Sequence, residues 1–163
     1  MASRHLEYSD LSLYRFLEKN SKRYPNTVSI EYFGTKITYG KFIENINEVS
    51  KALVGLGVKK GDFVSVCLPN TPEAVYLFYA INKVGAIANM IHPLSAENEF
   101  NYYFNVSDSR FVFGLDMAAK KIQKALAGTK VEKFIAVSVK YSMSLPIKIG
   151  FTLTSKKVEL LPE

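Results

Sequence analysis

At 163 residues with 48% hydrophobic content, the chain is long enough to bury one sizeable core. A single cysteine, Cys67, excludes an internal disulfide, and two distant histidines, His5 and His92, give no metal-ligand spacing. The formal charge of +6 comes from lysines interleaved with acids, with no basic stripe bearing exposed aromatics, so a solvated surface is expected and nucleic-acid binding is set aside.

The N-terminal MASRHLEYSD lacks the apolar run of a secretory leader. No apolar stretch reaches the ~18 residues of a membrane span, which points to a cytoplasmic protein without a transmembrane segment. Ser9 is expected to cap a first helix over 10–23, with Leu11, Tyr14, Leu17 and Phe16 on its apolar face. The alternation in VSIEYF-GTKIT, around Phe33-Gly34-Thr35, reads as a β-hairpin. Thr38 then caps a longer helix over 39–56, whose apolar residues Phe42, Ile43, Ile46, Val49, Leu53 and Leu56 keep to one face.

The central stretch, from Gly55 to Pro93, reads as strand, capped helix, strand. Gly57 ends the preceding helix, and FVSVCL at 63–68 is a continuous apolar run expected of a strand buried on both faces. Cys67 falls inside it, so a small core residue is favoured over a nucleophile. Thr71 caps the next helix, Pro72 occupies its first position and Glu73 suits its positive end. Gly85 stops that helix and AIANMI opens a new strand. Ser95 is expected to cap a helix over 96–106, which Ser107-Asp108-Ser109 breaks before a strand at 110–113. Asp116 is expected to cap a helix over 117–127, stopped by Gly128 before a strand at 134–137.

This β-α-β alternation predicts an α/β fold: a mainly parallel sheet with helices on both faces. Three regions are expected: hairpin and helices over 9–56, the core over 57–139, and an extension over 140–163. Both strand and helix fit the extension, and it stops on Leu-Leu-Pro-Glu as a chain cut within a domain would.

GxGxxG, GxxxxGK[ST] and GxSxG are all absent, so no complete catalytic constellation is expected and no metal site. In open parallel sheets, ligands bind beyond the carboxyl ends of the strands. Asn70 and Thr71 follow the first core strand and His92 the second, which makes these three the candidates for the edge of a cofactor-binding cleft. The competing readings are helix capping for Asn70 and Thr71 and an exposed turn for His92.

The ordered series Ile37-Thr38-Tyr39-Gly40, Ala52-Leu53-Val54-Gly55-Leu56-Gly57-Val58-Lys59-Lys60-Gly61-Asp62, Val64 to Glu73, Ala80 to Ala86, His92-Pro93-Leu94 and Ser107 to Val112 resembles the N-terminal portion of the AMP-forming acyl-CoA synthetases. This is the adenylate-forming superfamily of fatty-acyl and aryl CoA ligases. The tail Ser144 to Phe151, and His92 where the family pattern has asparagine, lean towards fatty-acyl ligases. The resemblance implies an incomplete N-terminal part of that fold, and a full-length enzyme using ATP, magnesium, CoA and a fatty or aryl carboxylic acid. It implies no catalytic role for any residue present. The family's phosphate loop, acidic magnesium-linked motif, ribose-binding aspartate and catalytic lysine have no counterpart among these 163 residues. The expected product is a segment inactive alone, with no bound cofactor, supplying scaffold and one wall of the acyl or CoA cleft. The rival expectation is a stand-alone α/β interaction or ligand-binding module. Exposed apolar surface would favour self-association.

Overall fold

A computed structural model describes residues 9–154, so the end of the extension lies outside the described residues. The first helix, α1, is Leu13–Ser21, shorter than expected at both ends. Its cap is Ser12, whose hydroxyl accepts from the Arg15 amide, while Ser9 accepts locally from the Leu11 amide. Leu11 and Phe16 are exposed, so the buried face reduces to Tyr14 with Leu17 beside it. Tyr14 ties the helix down: its hydroxyl lies within hydrogen-bond distance of two acceptors, Asn47 Oδ1 (2.9 Å) and Glu18 Oε1 (3.0 Å), which share its one proton, and its amide donates to Asn82 Oδ1. Burial, then the Glu18 carboxylate, push its hydroxyl up to about 12.

Strands β1 (Val28–Tyr32) and β2 (Thr35–Thr38) form the expected antiparallel hairpin. Its two turn residues, Phe33 and Gly34, both have positive φ (43° and 79°), the mirror-image turn that matches strand twist. Helix α2 (Tyr39–Leu56) starts on the Thr38 cap and ends at Gly57, whose φ of 97° a side chain would resist. Phe42, Ile46 and Leu53 are buried along its expected face.

The core is a four-stranded sheet, ordered β4-β3-β5-β6 and parallel throughout. Its strands are β3 (Phe63–Cys67), β4 (Ile87–Met90), β5 (Phe111–Leu115) and β6 (Lys133–Val137). Between them run α3 (Pro72–Val84), α4 (Glu97–Val106) and α5 (Ala119–Lys124). Side-chain alternation divides the sheet into two faces. Val64, Val66, Phe111 and Phe113 join the core under α1, α2 and α3. Cys67 and Val112 join a second core with Phe100 and Phe104 of α4 and Ile122 of α5. Burial pushes the Cys67 thiol up to about 12, which fits a core residue.

Two further helices differ from the sequence expectation. The N-cap of α4 is Ala96, not Ser95, and the Ala96 amide is satisfied by Glu99 Oε2 at 2.8 Å instead of by a capping hydroxyl. α5 is half the expected length. Residues 116–118 form a 3-10 turn in which Asp116 Oδ1 accepts from the adjacent Met117 amide, and tight turns over 125–128 replace its last helical turn. The extension resolves to helix: α6 is Leu145–Thr154. Among the described residues no helix is long and apolar enough to cross a membrane.

The amino ends of three strands are clipped together by Arg110. Its guanidinium donates to both carboxylate oxygens of Glu132 (2.6 and 2.8 Å) and to Asp62 Oδ1 (2.7 Å). Burial pushes the Asp62 carboxyl up, but the Lys59 amide and Arg110 outweigh it and hold it below its ordinary value. The Arg110 hydrogen bonds likewise hold Glu132 low. Both depressed groups contribute stability that is present above the unfolded carboxylate range and lost as pH falls through their folded values. Arg110→Gln is therefore expected to lower the urea midpoint at neutral pH and to flatten its fall between about pH 5 and about pH 3. Urea titrations across that range check it, and an unchanged pH slope would contradict it.

Candidate functional site

Because all four strands run the same way, their carboxyl ends share one edge. The chain passes from β3 outward to β4, then back across to β5, the kind of reversal beside which open sheets bind ligands. Along this edge lie the turns 68–71, 91–96, 116–118 and 138–144.

Thr71 is buried, and its hydroxyl accepts from the Ala74 amide at 3.4 Å as the cap of α3. Asn70 beside it is exposed. His92 is exposed after β4, and its Nδ1 accepts from the Leu94 amide at 3.3 Å. Asn70 and His92 thus follow neighbouring strands at the same edge, while Thr71 faces inward to its helix.

A cleft of about 500 Å³ opens at this edge on the α4/α5 side. Its apolar lining is Leu94, Leu115, Met117 and Ala118. Lys120, Lys121 and Lys124 line it with the carboxylate of Glu97, and none of Asn70, Thr71 or His92 does. Lys121 is fixed in place, donating to the Ser95 carbonyl at 2.7 Å and lying 5.4 Å from the centre of the Phe100 ring. Lys124 is exposed. Apolar side chains bordered by three lysines and one glutamate give the cleft a net positive lining, which suits an amphiphilic anion better than a neutral or cationic ligand.

The same elements do not fit a nucleoside triphosphate with its metal. The βα turns carry no glycine-rich loop to bring amides onto phosphates. Among the described residues no group of three or more His, Cys, Asp or Glu side chains could hold a metal ion. On the other side of the sheet, Leu53, Leu56, Leu77, Phe113, Ile135 and Val137 border an apolar groove of about 230 Å³.

The three lysines are what sequence reading missed. On sequence they belong to a general solvated surface, yet they fall within the six residues that follow a strand's carboxyl end and a single turn. That placement, not their number, was the available signal.

The family model for AMP-binding enzyme matches residues 17–154. The long-chain-fatty-acid–CoA ligase of Bacillus subtilis (strain 168) is 28% identical over 146 residues, covering 90% of this chain and 26% of that protein. Among solved structures, a long-chain-fatty-acid-CoA ligase from Archaeoglobus fulgidus superposes with a TM-score of 0.75 at 22% identity, over 85% of this chain and 30% of that one. The N-terminal domain of FACL13 from Mycobacterium tuberculosis superposes with a TM-score of 0.72 at 24% identity, over 91% of this chain and 37% of that one. The chain thus spans about a quarter of the length of that curated relative.

Proposed function

The chain belongs to the family of AMP-binding enzymes, and on that footing we propose that it is the N-terminal segment of an AMP-forming acyl-CoA ligase. In that reaction a carboxylate attacks the α-phosphate of ATP, giving acyl-adenylate and pyrophosphate. The CoA thiol then attacks the acyl carbon, releasing AMP and leaving acyl-CoA. The observation that carries the assignment to this chain is the lysine-lined cleft at the carboxyl edge of the parallel sheet. CoA is an amphiphilic anion, with a phosphorylated nucleotide at one end and a less polar arm bearing the thiol at the other. Lys120 and Lys124 hold its phosphates, Lys121 keeps the 91–96 turn closed against α5, and Leu94, Leu115 and Met117 pack against the arm. The exposed Asn70 and His92 remain the proposed rim residues of the neighbouring crevice, towards the acyl end.

Binding is not catalysis. Among the described residues no cluster of His, Cys, Asp or Glu could hold magnesium, and the sequence carries no glycine-rich phosphate loop, so the 163-residue chain is proposed to be inactive by itself. ATP–pyrophosphate exchange with fatty and aryl acids is expected to stay at background. Exchange above that of a heat-denatured control would contradict the assignment of this chain as a non-catalytic segment.

The apolar groove beside α2 and α3 favours one second reading, a stand-alone ligand-binding module. That reading requires a clean monomer that takes up an apolar probe and does not bind CoA.

A further inference from the structure

Apolar burial alone does not fix the register of this parallel sheet. Apart from Ser65, β3 and β5 carry only apolar residues and glycine, and nearly all of them are buried. In a sheet with one wet face, a slip of one residue drives apolar side chains into water, and that cost opposes the slip. Here an apolar cluster covers each face, so a slip exchanges one apolar environment for another.

Ser65 and Ser109 are fully buried, with Asn89 of β4 and Ser107, the C-cap of α4, half-buried beside them. The four side chains close a ring. Asn89 Nδ2 lies 3.0 Å from both Ser65 Oγ and Ser107 Oγ, and Ser109 Oγ lies 2.7 Å from both hydroxyls. One proton per hydroxyl fixes the direction of every bond. The Asn89 amide group gives its two protons to Ser65 and Ser107, and Ser107 gives its own to the Tyr103 carbonyl at 2.8 Å. Ser109 therefore donates to Ser107 and Ser65 donates to Ser109, which leaves no proton of the ring unused. The chain enters the ring through Asp108, whose φ of 50° makes the left-handed turn that ends α4. Across that turn the Ser109 amide donates to the Phe104 carbonyl at 3.1 Å.

We propose that this ring is a register lock, a conformational device independent of the ligase assignment. Its members come from β4, β3, the end of α4 and the entry to β5, so it closes only when all four share one alignment. Asn89 and Val112 are the register partners of Ser65 on its two sides. A slip of β3 by one residue turns Ser65 to the face now held by Val64 and Val66, into the apolar cluster under α2 and α3. A slip by two keeps the face but parts Ser65 from both Asn89 and Ser109. Either slip leaves buried polar groups without partners, and an unmade bond of this kind is opposed more strongly than a made one is favoured.

Ser65→Ala, Asn89→Val and Ser109→Ala combined remove the ring and orphan none of its protons, since Ser107 keeps its bond to the Tyr103 carbonyl. Amide NMR spectra are expected to show one set of signals for the parent and more than one for β3, β4 and β5 of the triple variant. Cross-strand contacts of β3 in the extra sets should be displaced along β4 or β5. The triple variant should keep a urea midpoint near the parent's, because apolar groups replace polar ones together. Ser109→Ala alone leaves the enclosed Ser65 proton unmet, so it should lower the midpoint more than the triple variant does. The proposal is overturned if the triple variant gives one set of signals with the parent's cross-strand contacts. It is equally overturned if that variant no longer folds, which would make the ring a source of stability and not of register, or if Ser109→Ala lowers the midpoint no more than the triple variant.

Discussion

Phe104→Ala is expected to cost about 3–5 kcal/mol of folding stability, the range for emptying a fully enclosed aromatic site. Phe104 is completely buried, and its ring stacks on that of Phe100 with centroids 5.9 Å apart and planes 17° from parallel. The pair comes from successive turns of α4, so together they form the side of that helix that faces the sheet. They meet Val112, Cys67 and Ile122, all of which are also enclosed. Each of those neighbours is pinned in a parallel strand or in α5, which limits how far the site can collapse around the missing ring. Tyr103→Ala, one residue away but exposed, serves as the control and should change stability little. Urea unfolding followed by circular dichroism measures both. A loss for Phe104→Ala no larger than that for Tyr103→Ala would mean that α4 does not pack as described.

Gly114→Val is the second large effect, and it reaches the cleft. A Cβ at this position would stand 2.5 Å from Ile122 Cδ1 and 2.9 Å from Phe134 Cε2. The isoleucine end could turn aside for a methyl group, but the Phe134 ring has no such freedom and the site is enclosed. Relief for a branched side chain therefore requires α5, which carries Ile122, to move off the sheet. Overpacking of this kind costs about 1–3 kcal/mol. Because Lys120, Lys121 and Lys124 ride on α5, the same movement opens the cleft. The expected result is a lowered urea midpoint with faster amide exchange in α5 and at the Ser95 turn, and with α2 and α3 unaffected. Gly114→Ala should show the same pattern at smaller amplitude. Uniform exchange changes across the molecule would instead indicate general loosening and no specific role for the close approach.

Much of this fold was legible because its signals were local. Thr38, Thr71, Pro72, Gly57 and Gly85 act through hydrogen bonds and φ values that need only their immediate neighbours, and the helices they bound appear where expected. The strands were legible as apolar runs, and their parallel pairing follows from the intervening helices. Errors arose where a tertiary contact chose between local alternatives. Ser9 and Ser95 are good caps in isolation, yet Ser12 caps α1 and Glu99 satisfies the start of α4. The short α5 reflects a stop that Gly128 alone did not locate, since the turns over 125–128 are fixed partly by Asn101 of α4, whose side chain donates to the Ala125 and Ala127 carbonyls. The shared carboxyl edge of the sheet was legible from topology, and so was the position of Asn70, Thr71 and His92 in the turns that follow β3 and β4. The basic cleft was not, because it needs Leu94 and Glu97 brought beside residues more than twenty positions away.

Titration of the 163-residue chain with CoA, alongside dephospho-CoA, addresses the role of that cleft. Saturable binding is predicted at low salt, weaker for the ligand lacking the 3′-phosphate. It should fall about tenfold when Lys120→Glu and Lys124→Glu are combined, with Tyr103→Ala as an unaffected control. Equal binding by the parent and the double charge reversal, or no binding by either, would contradict the assignment of these lysines to the CoA wall of a ligase.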